Sequence, residues 1–329
     1  MLVTGPNGAG KTNLIESLHV GTQGFSPRTR ADVQLIRFGE EAARVALRGV
    51  RTGGVPIELE VVVRAGAAKQ GKINGAPLRA AEQLRQEVAT LVFTPDRLAV
   101  IKGGPAIRRA YFDRALGRLL PARAGLPALY GAALGQRNAA LRRVALGVST
   151  HEALEPWTER VAELAAELVT ARKEALALLI SPFAESAGEL GLPEAGLAYA
   201  AEPPSVEELT GRIARDLDRG STGIGPHRDE IAVMAGAREL RLFGSQGEQR
   251  VAVLGLLLAE AAVIADRRGE APLLLLDDVL SELDARRRAA LVRRLPVGGQ
   301  TLISSTSADL LPIAPAQLLE VEPGLVRAA

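Results

Sequence analysis

An α/β fold built on parallel strands and interrupted by a helical lobe is predicted by three observations. Gly5-Pro6-Asn7-Gly8-Ala9-Gly10-Lys11-Thr12 is a complete G-x-x-x-x-G-K-[ST] loop between an apolar strand end, Met1-Leu2-Val3, and a helix start. Leu273-Leu274-Leu275-Leu276 is a short continuous apolar run that ends in two carboxylates, as a buried parallel strand would. Between these two halves, roughly from Arg118 to Leu217, the composition turns to Ala, Leu, Arg and Glu with helical periodicity. The expected division is therefore a head at 1–117, a lobe at 118–219 and the rest of the head at 220–329.

Composition bounds the function classes. With 329 residues, 47% hydrophobic and 24% charged, the chain has the make-up of a globular protein large enough for two domains. Cysteine is absent, which removes disulfides, thiol nucleophiles and thiolate-held zinc together. Aromatics are 3%, so Leu, Val, Ile and Ala must build the core. A net charge of +2 permits a nucleic-acid partner without demanding one. No apolar run approaches a membrane span, and a cytoplasmic location is expected.

In the loop, glycines let backbone N–H groups turn inward to cradle phosphate oxygens. The cradle comprises Gly5, Pro6, Asn7, Gly8, Ala9, Gly10, Lys11 and Thr12, with Asn13 beside it. Lys11 adds a charge near the β and γ phosphates, and the Thr12 hydroxyl can reach Mg²⁺. Leu14, Ile15 and Leu18 mark the buried face of the following helix. Only four residues precede Gly5, so the neighbours of the first strand are expected either before this sequence or elsewhere in the chain.

Gly24 to Arg30 reads as a basic loop, in which Arg28 and Arg30 are candidates to touch phosphate of a nucleotide or of DNA. Val45 and Leu47, then Ile57, Leu59, Val61 and Val63, alternate as antiparallel strands do, and Asn74-Gly75 is a hairpin turn. Lys69 and Lys72 on these turns are solvent-facing cations and candidate DNA contacts. Thr90 to Phe93 is a short core strand, and Pro95 opens a helix. Arg108 and Arg109 lie on what reads as the polar face of a helix whose other side carries Tyr111, Phe112 and Leu116, and they join the candidates.

Trp157, Val161, Leu164, Leu168, Ala171, Ala175 and Leu178 step by four and three, a coiled-coil seam of about three heptads ending at Pro182. Leu129, Ala132, Ala133 and Leu141 are the expected facing seam, giving a short helical hairpin. Ser205 with Glu208, and Ser245 with Glu248, are capping boxes. Gly223 to Asp229 returns the chain to the sheet, with Ile231, Val233, Leu240 and Leu242 as alternating strands. His227, alone in a turn, reads as a hydrogen-bonding residue.

A strand ending in Asp277-Asp278 delivers both carboxylates to the carboxyl edge of the sheet, where ligands bind. Asp277 would hold Mg²⁺, and Asp278 would orient or deprotonate a water. Ser304, Ser305 and Thr306 follow a further apolar strand, and Thr306 is the residue expected near a γ-phosphate.

The loop, the helical insertion, S-Q-G-E-Q at 245–249, the carboxylate strand and S-E-L-D at 281–284, in this order, resemble ABC-type ATPases of the SMC and Rad50 superfamily. Within it the chain is similar to the RecF family. Four stretches support this: Phe93-Thr94-Pro95-Asp96 with Leu98, Lys102-Gly103-Gly104-Pro105 with Arg108-Arg109, Gly225-Pro226-His227-Arg228-Asp229, and Asp277 through Asp284. The resemblance implies an ABC-type ATPase head, a mixed sheet with an antiparallel subdomain, carrying the lobe. It implies ATP and Mg²⁺ as ligands. It makes Ser245, Gln246, Gly247, Glu248 and Gln249 a signature that closes over the γ-phosphate held by Lys11 of a second molecule. Ser281 and Asp284 become the D-loop and Thr306 the switch position, and Lys11, Asp278 and Ser245 the catalytic set.

The implied function is ATP-dependent DNA binding in recombinational repair: a homodimer gripping gapped DNA or single-strand to double-strand junctions, helped by RecR and RecO, to load a recombinase. Asp278 where many ABC ATPases have glutamate, and Thr306 where transporters have histidine, imply a slow, DNA-stimulated ATPase. A transporter subunit would predict L-S-G-G-Q, a glutamate after Asp277 and a switch histidine, all lacking here. A structural chromosome organiser needs far longer heptad arms. An inactive nucleotide-binding scaffold is distinguished by a hydrolysis assay.

Overall fold

The computed structural model describes every residue except Arg30, Thr52, Ala81 and Ala329, and excludes the side chain of Glu82. It divides into two compact units, Met1–Arg97 with Glu189–Gly191 and Leu257–Ala329, and Leu98–Gly188 with Leu192–Leu256. The first boundary thus falls before the expected one at 117/118. Helix Pro105–Leu119 belongs to the lobe because its Leu116 packs with Leu126, Val161 and Leu164. The second boundary falls later, so Gly225–Asp229 and the signature segment also belong to the helical unit.

In the first unit the six-stranded sheet has the order Leu325–Ala328, Leu318–Glu322, Leu2–Thr4, Thr301–Ser305, Leu273–Leu276, Thr90–Phe93. All neighbours run parallel except the pair formed by the last two strands of the chain. Both neighbours of Leu2–Thr4 therefore come from the carboxyl-terminal part of the chain, with Leu2 opposite Ile303 on one side and Leu318 on the other. The inner strands read as apolar runs because a parallel sheet is covered on both faces. Val3, Val92, Leu275, Leu302 and Val321 form the core with Ile15 from helix Lys11–Gln23.

The register brings Thr4 level with Ser305 and Leu276 level with Phe93, so the segments that follow these residues all leave at the carboxyl edge. A separate antiparallel sheet, Ala42–Val50, Pro56–Arg64, Gln70–Ile73 and Ala76–Pro77, buries Ile57, Leu59 and Val61 against Val20 and Leu84. Its last turn is Asn74-Gly75, both with positive φ (50° and 81°), the geometry that favours this dipeptide in tight hairpins.

In the second unit, helices Leu126–Ala145 and Glu155–Glu189 form the expected hairpin with three differences, the first being that Trp157, expected to open the seam, is exposed while Val161, Leu164, Leu168, Ala171 and Ala175 are buried in it. Tyr130 and Ala133 face the seam and Leu141 is buried, whereas Leu129 and Ala132 are exposed, a slip of the stripe around the first helix. Pro182 does not end the long helix, which continues to Glu189 and buries Phe183 and Ala187. Ala232–Ala235 pairs with Ala195–Ala198 and Arg238–Glu239 in a three-stranded antiparallel sheet and does not rejoin the six-stranded one. Leu240–Phe243 is a helical turn, so the strand expected at Leu240 and Leu242 is absent there.

With few aromatics available, buried arginines hold this unit together. Arg137, fully buried, donates to Asp216 Oδ2 (2.9 Å), Thr222 Oγ1 (2.6 Å), Thr158 Oγ1 (3.2 Å) and the Leu209 carbonyl (3.2 Å). Arg172 forks onto Asp113 at 2.8 and 2.9 Å and donates to the Pro226 carbonyl. Removing one partner from such a buried pair costs about 3–5 kcal/mol, because the other charge is stranded.

His227 completes the packing. Its Nε2 lies 3.0 Å from the Thr222 carbonyl and must donate, so Nδ1 accepts from Tyr130 Oη at 2.7 Å. The neutral ring fits this site, and burial lowers its pKa, with Arg228 and Arg109 opposing protonation and Asp229 favouring it. Below the ordinary histidine value of about 6.5 the unfolded chain takes up a proton that the folded ring resists. Stability is therefore complete above that value and falls as the pH drops through it. In urea titrations at about pH 7.5 and about pH 5.5, one unit either side of that reference, wild type should lose more stability on acidification than His227→Gln. Equal losses would show that the ring is not the titrating group.

Candidate functional site

Helix Lys11–Gln23 begins without a side-chain cap, because its preceding residue is Gly10 with φ 109°. The first-turn N–H groups of a helix have no intrahelical acceptor, so here they are left for an anion. Gly5 is fixed by close approach: a Cβ there would stand 2.3 Å from the Val321 carbonyl oxygen. Lys11, largely buried, donates from Nζ to the carbonyls of Gly5 (2.7 Å) and Pro6 (3.0 Å), which holds its ammonium over the loop. An ammonium has three donors, so one remains for a ligand.

At the adjoining strand end, Asp277 is 4% exposed, and its Oδ1 accepts from Ser304 Oγ (2.7 Å) and Thr12 Oγ1 (3.2 Å). Ser304 Oγ in turn accepts from the Asp278 N–H at 2.9 Å. Asp278 sits at φ 50°, a left-handed conformation that costs energy in a non-glycine residue. Its Oδ1 is buried with no hydrogen-bond partner. Such an acceptor is expensive to leave unmet and is available to a water or hydroxyl in the site.

Asn7, Gly8, Gly10, Lys11, Thr12, Asn13, Arg28, Asp277 and Asp278 line one cavity of about 220 Å³. A larger one, about 420 Å³, lies beyond Asn13 against Val20, Ile36, Ala43, Val45 and Val63. One hydroxyl and one carboxylate oxygen beside a phosphate cradle suit a hard cation whose other ligands are phosphate oxygens and water. Among the described residues no group of three metal-binding side chains exists, so the protein alone offers no cage.

The signature segment is a well-formed helix start in the other unit. The Ser245 N–H donates to Glu248 Oε2 (2.7 Å) and the Glu248 N–H to Ser245 Oγ (3.2 Å). Ser245 and Gln246 are exposed and Gly247 half-buried. Gln249 is turned inward, donating to the Leu240 carbonyl at 2.9 Å, so its role is to anchor the helix. In the other predicted segment, Ser281 Oγ donates to the Asp278 carbonyl (2.9 Å), and Asp284 caps helix Ala285–Arg294 through the Arg287 N–H.

Two expectations need correction. Arg108 is not on a polar face: it is 1% exposed, bound to Glu230 and to the carbonyls of Ile101 and Gly103, and is unavailable to DNA. Arg109 is half-buried and donates to the Asp229 carbonyl at 2.6 Å. Thr306 is exposed and does not line the cavity, whereas Ser304, two residues earlier, ties Asp277 to Asp278. Alternation along the strand carries that signal, since 304 and 306 share a face and the earlier residue is level with the sheet edge. Arg28 lines the cavity and pairs with Glu16 at 3.2 Å. Arg30 lies outside the described residues. Lys69 and Lys72 pair with Asp32 and Glu60 at 2.8 and 3.2 Å. Among the described residues no helix is long and apolar enough to cross a membrane.

Residues 1–323 match the family described as the RecF/RecN/SMC N-terminal domain. A DNA replication and repair protein RecF from Heliobacterium modesticaldum is 36% identical over 309 residues, covering 89% of this chain and 82% of that protein. A solved recombination mediator protein RecF with ATP, of the RecFOR pathway, superposes with a TM-score of 0.89 at 27% identity, covering 100% of this chain and 91% of that one. An Smc head bound to a winged-helix domain of ScpA, 15% identical with a TM-score of 0.57, shares the fold.

The Ser304 hydroxyl bonds Asp277 and the Asp278 N–H, so its effect on a bound nucleotide should pass through those two residues. Ser304→Ala should weaken binding of a fluorescent ATP analogue about tenfold with Mg²⁺ present, the range of a missing buried hydrogen bond, and leave binding in EDTA unchanged. Equal losses in both conditions would mean that the hydroxyl supports the loop rather than the carboxylates.

Proposed function

The chain belongs to the RecF family of ABC-type ATPases, and from that premise we propose that it is an ATP-operated DNA clamp of recombinational repair. The observation that carries this reading is the single cavity shared by Lys11, Thr12, Asp277 and Asp278. The loop and Lys11 receive the phosphates, and Thr12 and Asp277 hold Mg²⁺. The partnerless Asp278 oxygen orients the attacking water. The cavity beyond Asn13, with its apolar wall of Val20, Val45 and Val63, takes the base.

The cavity offers no signature residue, whereas Ser245 and Gln246 stand exposed at an uncovered helix start. Leu242 and Phe243, just before them, are also exposed, an apolar pair for a second copy to cover. ATP therefore joins the Lys11 loop of one copy to the Ser245 helix of another, and hydrolysis releases the pair. The short carboxylate at 278 and a threonine at 306 in place of a histidine make hydrolysis slow, stimulated by DNA, with turnover well below the ~10 s⁻¹ typical of enzymes. The closed dimer holds gapped or junction DNA in the cytoplasm, with RecR and RecO as partners in loading a recombinase.

Sedimentation without nucleotide, with ADP, with ATP and with ATP plus gapped duplex tests the clamp. ATP should convert wild type to a dimer that retains DNA, while Lys11→Met and Ser245→Arg stay monomeric. A wild type that remains monomeric with ATP and DNA together would defeat this mechanism.

The base site has its own test. Ala43→Trp, which fills the larger cavity, should weaken ATP about tenfold, equivalent to about 1.4 kcal/mol of binding free energy. Competition by inorganic tripolyphosphate should be unaltered. If ATP binding is unaffected, the base lies elsewhere.

A further inference from the structure

Most arginines of the helical unit are engaged within it, and two that are not converge. Helix Ile213–Arg219 carries Arg215 and Arg219, with Arg212 immediately before it. Among the described residues, neither the Arg212 nor the Arg219 side chain makes a hydrogen bond or ion pair, and Arg212 Nε is buried without a partner. Both guanidinium groups nonetheless meet over Gly223. The position a Cβ would take on that glycine is 3.4 Å from Arg212 Nη2 and 3.5 Å from Arg219 Nη1. Asp216 Oδ1 faces the same point at 3.3 Å, but it accepts from the Gly223 N–H while Oδ2 accepts from Arg137.

The remainder of the neighbourhood is also basic. Arg142 packs its stem over Gly220 and makes one long hydrogen bond, 3.4 Å, to that carbonyl, which leaves most of its donors unused. Arg143 and Arg215 are exposed alongside, and Asp218 is the exposed acid of the segment. Two guanidinium groups brought together with their charge unmet repel one another unless an anion lies between them. A guanidinium fork matches phosphate oxygens, and a glycine surface lets such an oxygen come close. The stretch from Arg212 to Gly225 holds no aromatic residue on which a base could stack. A surface with cationic forks and no stacking platform reads backbone charge and is indifferent to sequence.

We propose that Arg212 and Arg219 over Gly223, with Arg142 over Gly220, form a phosphodiester-binding site for DNA on the helical unit. This rests on the DNA-binding reading above and assigns it a surface different from the residues first expected. It also accounts for a glycine-rich turn, Gly220 to Gly225, placed on top of a buried ion pair: Arg137 and Asp216 fix the platform while the outer arginines remain free.

The test uses the full chain with ATP and a fluorescein-labelled gapped duplex, read by anisotropy from low to moderate salt. The variants are Arg212→Gln/Arg219→Gln and, because Arg212 is partly buried, the exposed single change Arg219→Glu. Binding should weaken about tenfold for the double variant, and its slope of log affinity against log salt should become shallower by about 1–2, near 0.9 for each phosphate no longer neutralised. ATP affinity and ATP-dependent dimerisation should match wild type. If wild type binds DNA and both variants bind with the same affinity and slope, the site is refuted while the DNA-binding reading survives, and the arginines would then serve an acidic protein. If wild type itself does not bind DNA, that reading fails and takes this site with it. A loss of DNA binding accompanied by loss of the dimer would also overturn the assignment.

Discussion

The Asp277 carboxylate is the point on which the candidate ATP site depends. One of its oxygens is held by two hydroxyls, Thr12 from the phosphate-loop helix and Ser304 from the neighbouring strand. These three residues are remote in sequence and meet because the strands ending at Thr4, Leu276 and Ser305 are parallel and in register. A one-residue slip in any of those pairings would turn the side chains of that strand to the opposite face and separate the hydroxyl from the carboxylate. The apolar runs of these strands, which have no chemistry of their own, are therefore what positions the chemistry. Ser304 also accepts the Asp278 N–H, so the same hydroxyl supports the strained backbone of the second carboxylate.

The helix start of the phosphate loop and the helix start proposed to meet it from a second copy are prepared in opposite ways. The one behind Gly10 has no side chain to cap it, and its donors wait for phosphate. The one behind Ser245 is capped by a reciprocal box, which stabilises it as a free surface in the absence of a partner. An uncapped helix end needs its ligand close by, whereas a capped one can stand exposed until a second molecule arrives. This asymmetry fits a site completed between copies better than one completed within a chain.

Much of this was legible in the sequence, and the parts that were not share a cause. The phosphate loop, the carboxylate strand, both capping boxes and the Asn74-Gly75 hairpin are encoded locally, in residues close enough together for spacing to reveal them. The neighbours of Leu2–Thr4 were not, because nothing local in a strand states which other strand it joins. The hairpin seam is legible on the long helix from Val161 to Ala175, where regular spacing persists, and not on the facing one, where Tyr130 and Arg137 interrupt the apolar stripe. Arg108 was misread for the same reason. A charged residue on a helix pattern reads as solvated, and only its distant partner Glu230 shows that it is a core residue. The role of Ser304 is not legible because the position of the sheet edge is a tertiary fact.

The arginines show how little net charge says about a nucleic-acid surface. A total of +2 would suit a protein with no such partner. Yet Arg108, Arg137 and Arg172 are enclosed with their carboxylates or with backbone carbonyls, and Arg44, Arg48 and Arg51 face glutamates across the antiparallel sheet and its surroundings. Pairing of this kind removes positive and negative charges together and leaves the sum unchanged. What it alters is the distribution, since the cations left unpaired need not be scattered. A partner's field is set by those remaining charges within a Debye length of about 8–10 Å, not by the total. Where two of them converge over glycine, as beside Gly223, positive charge is concentrated locally on a chain that is nearly neutral overall.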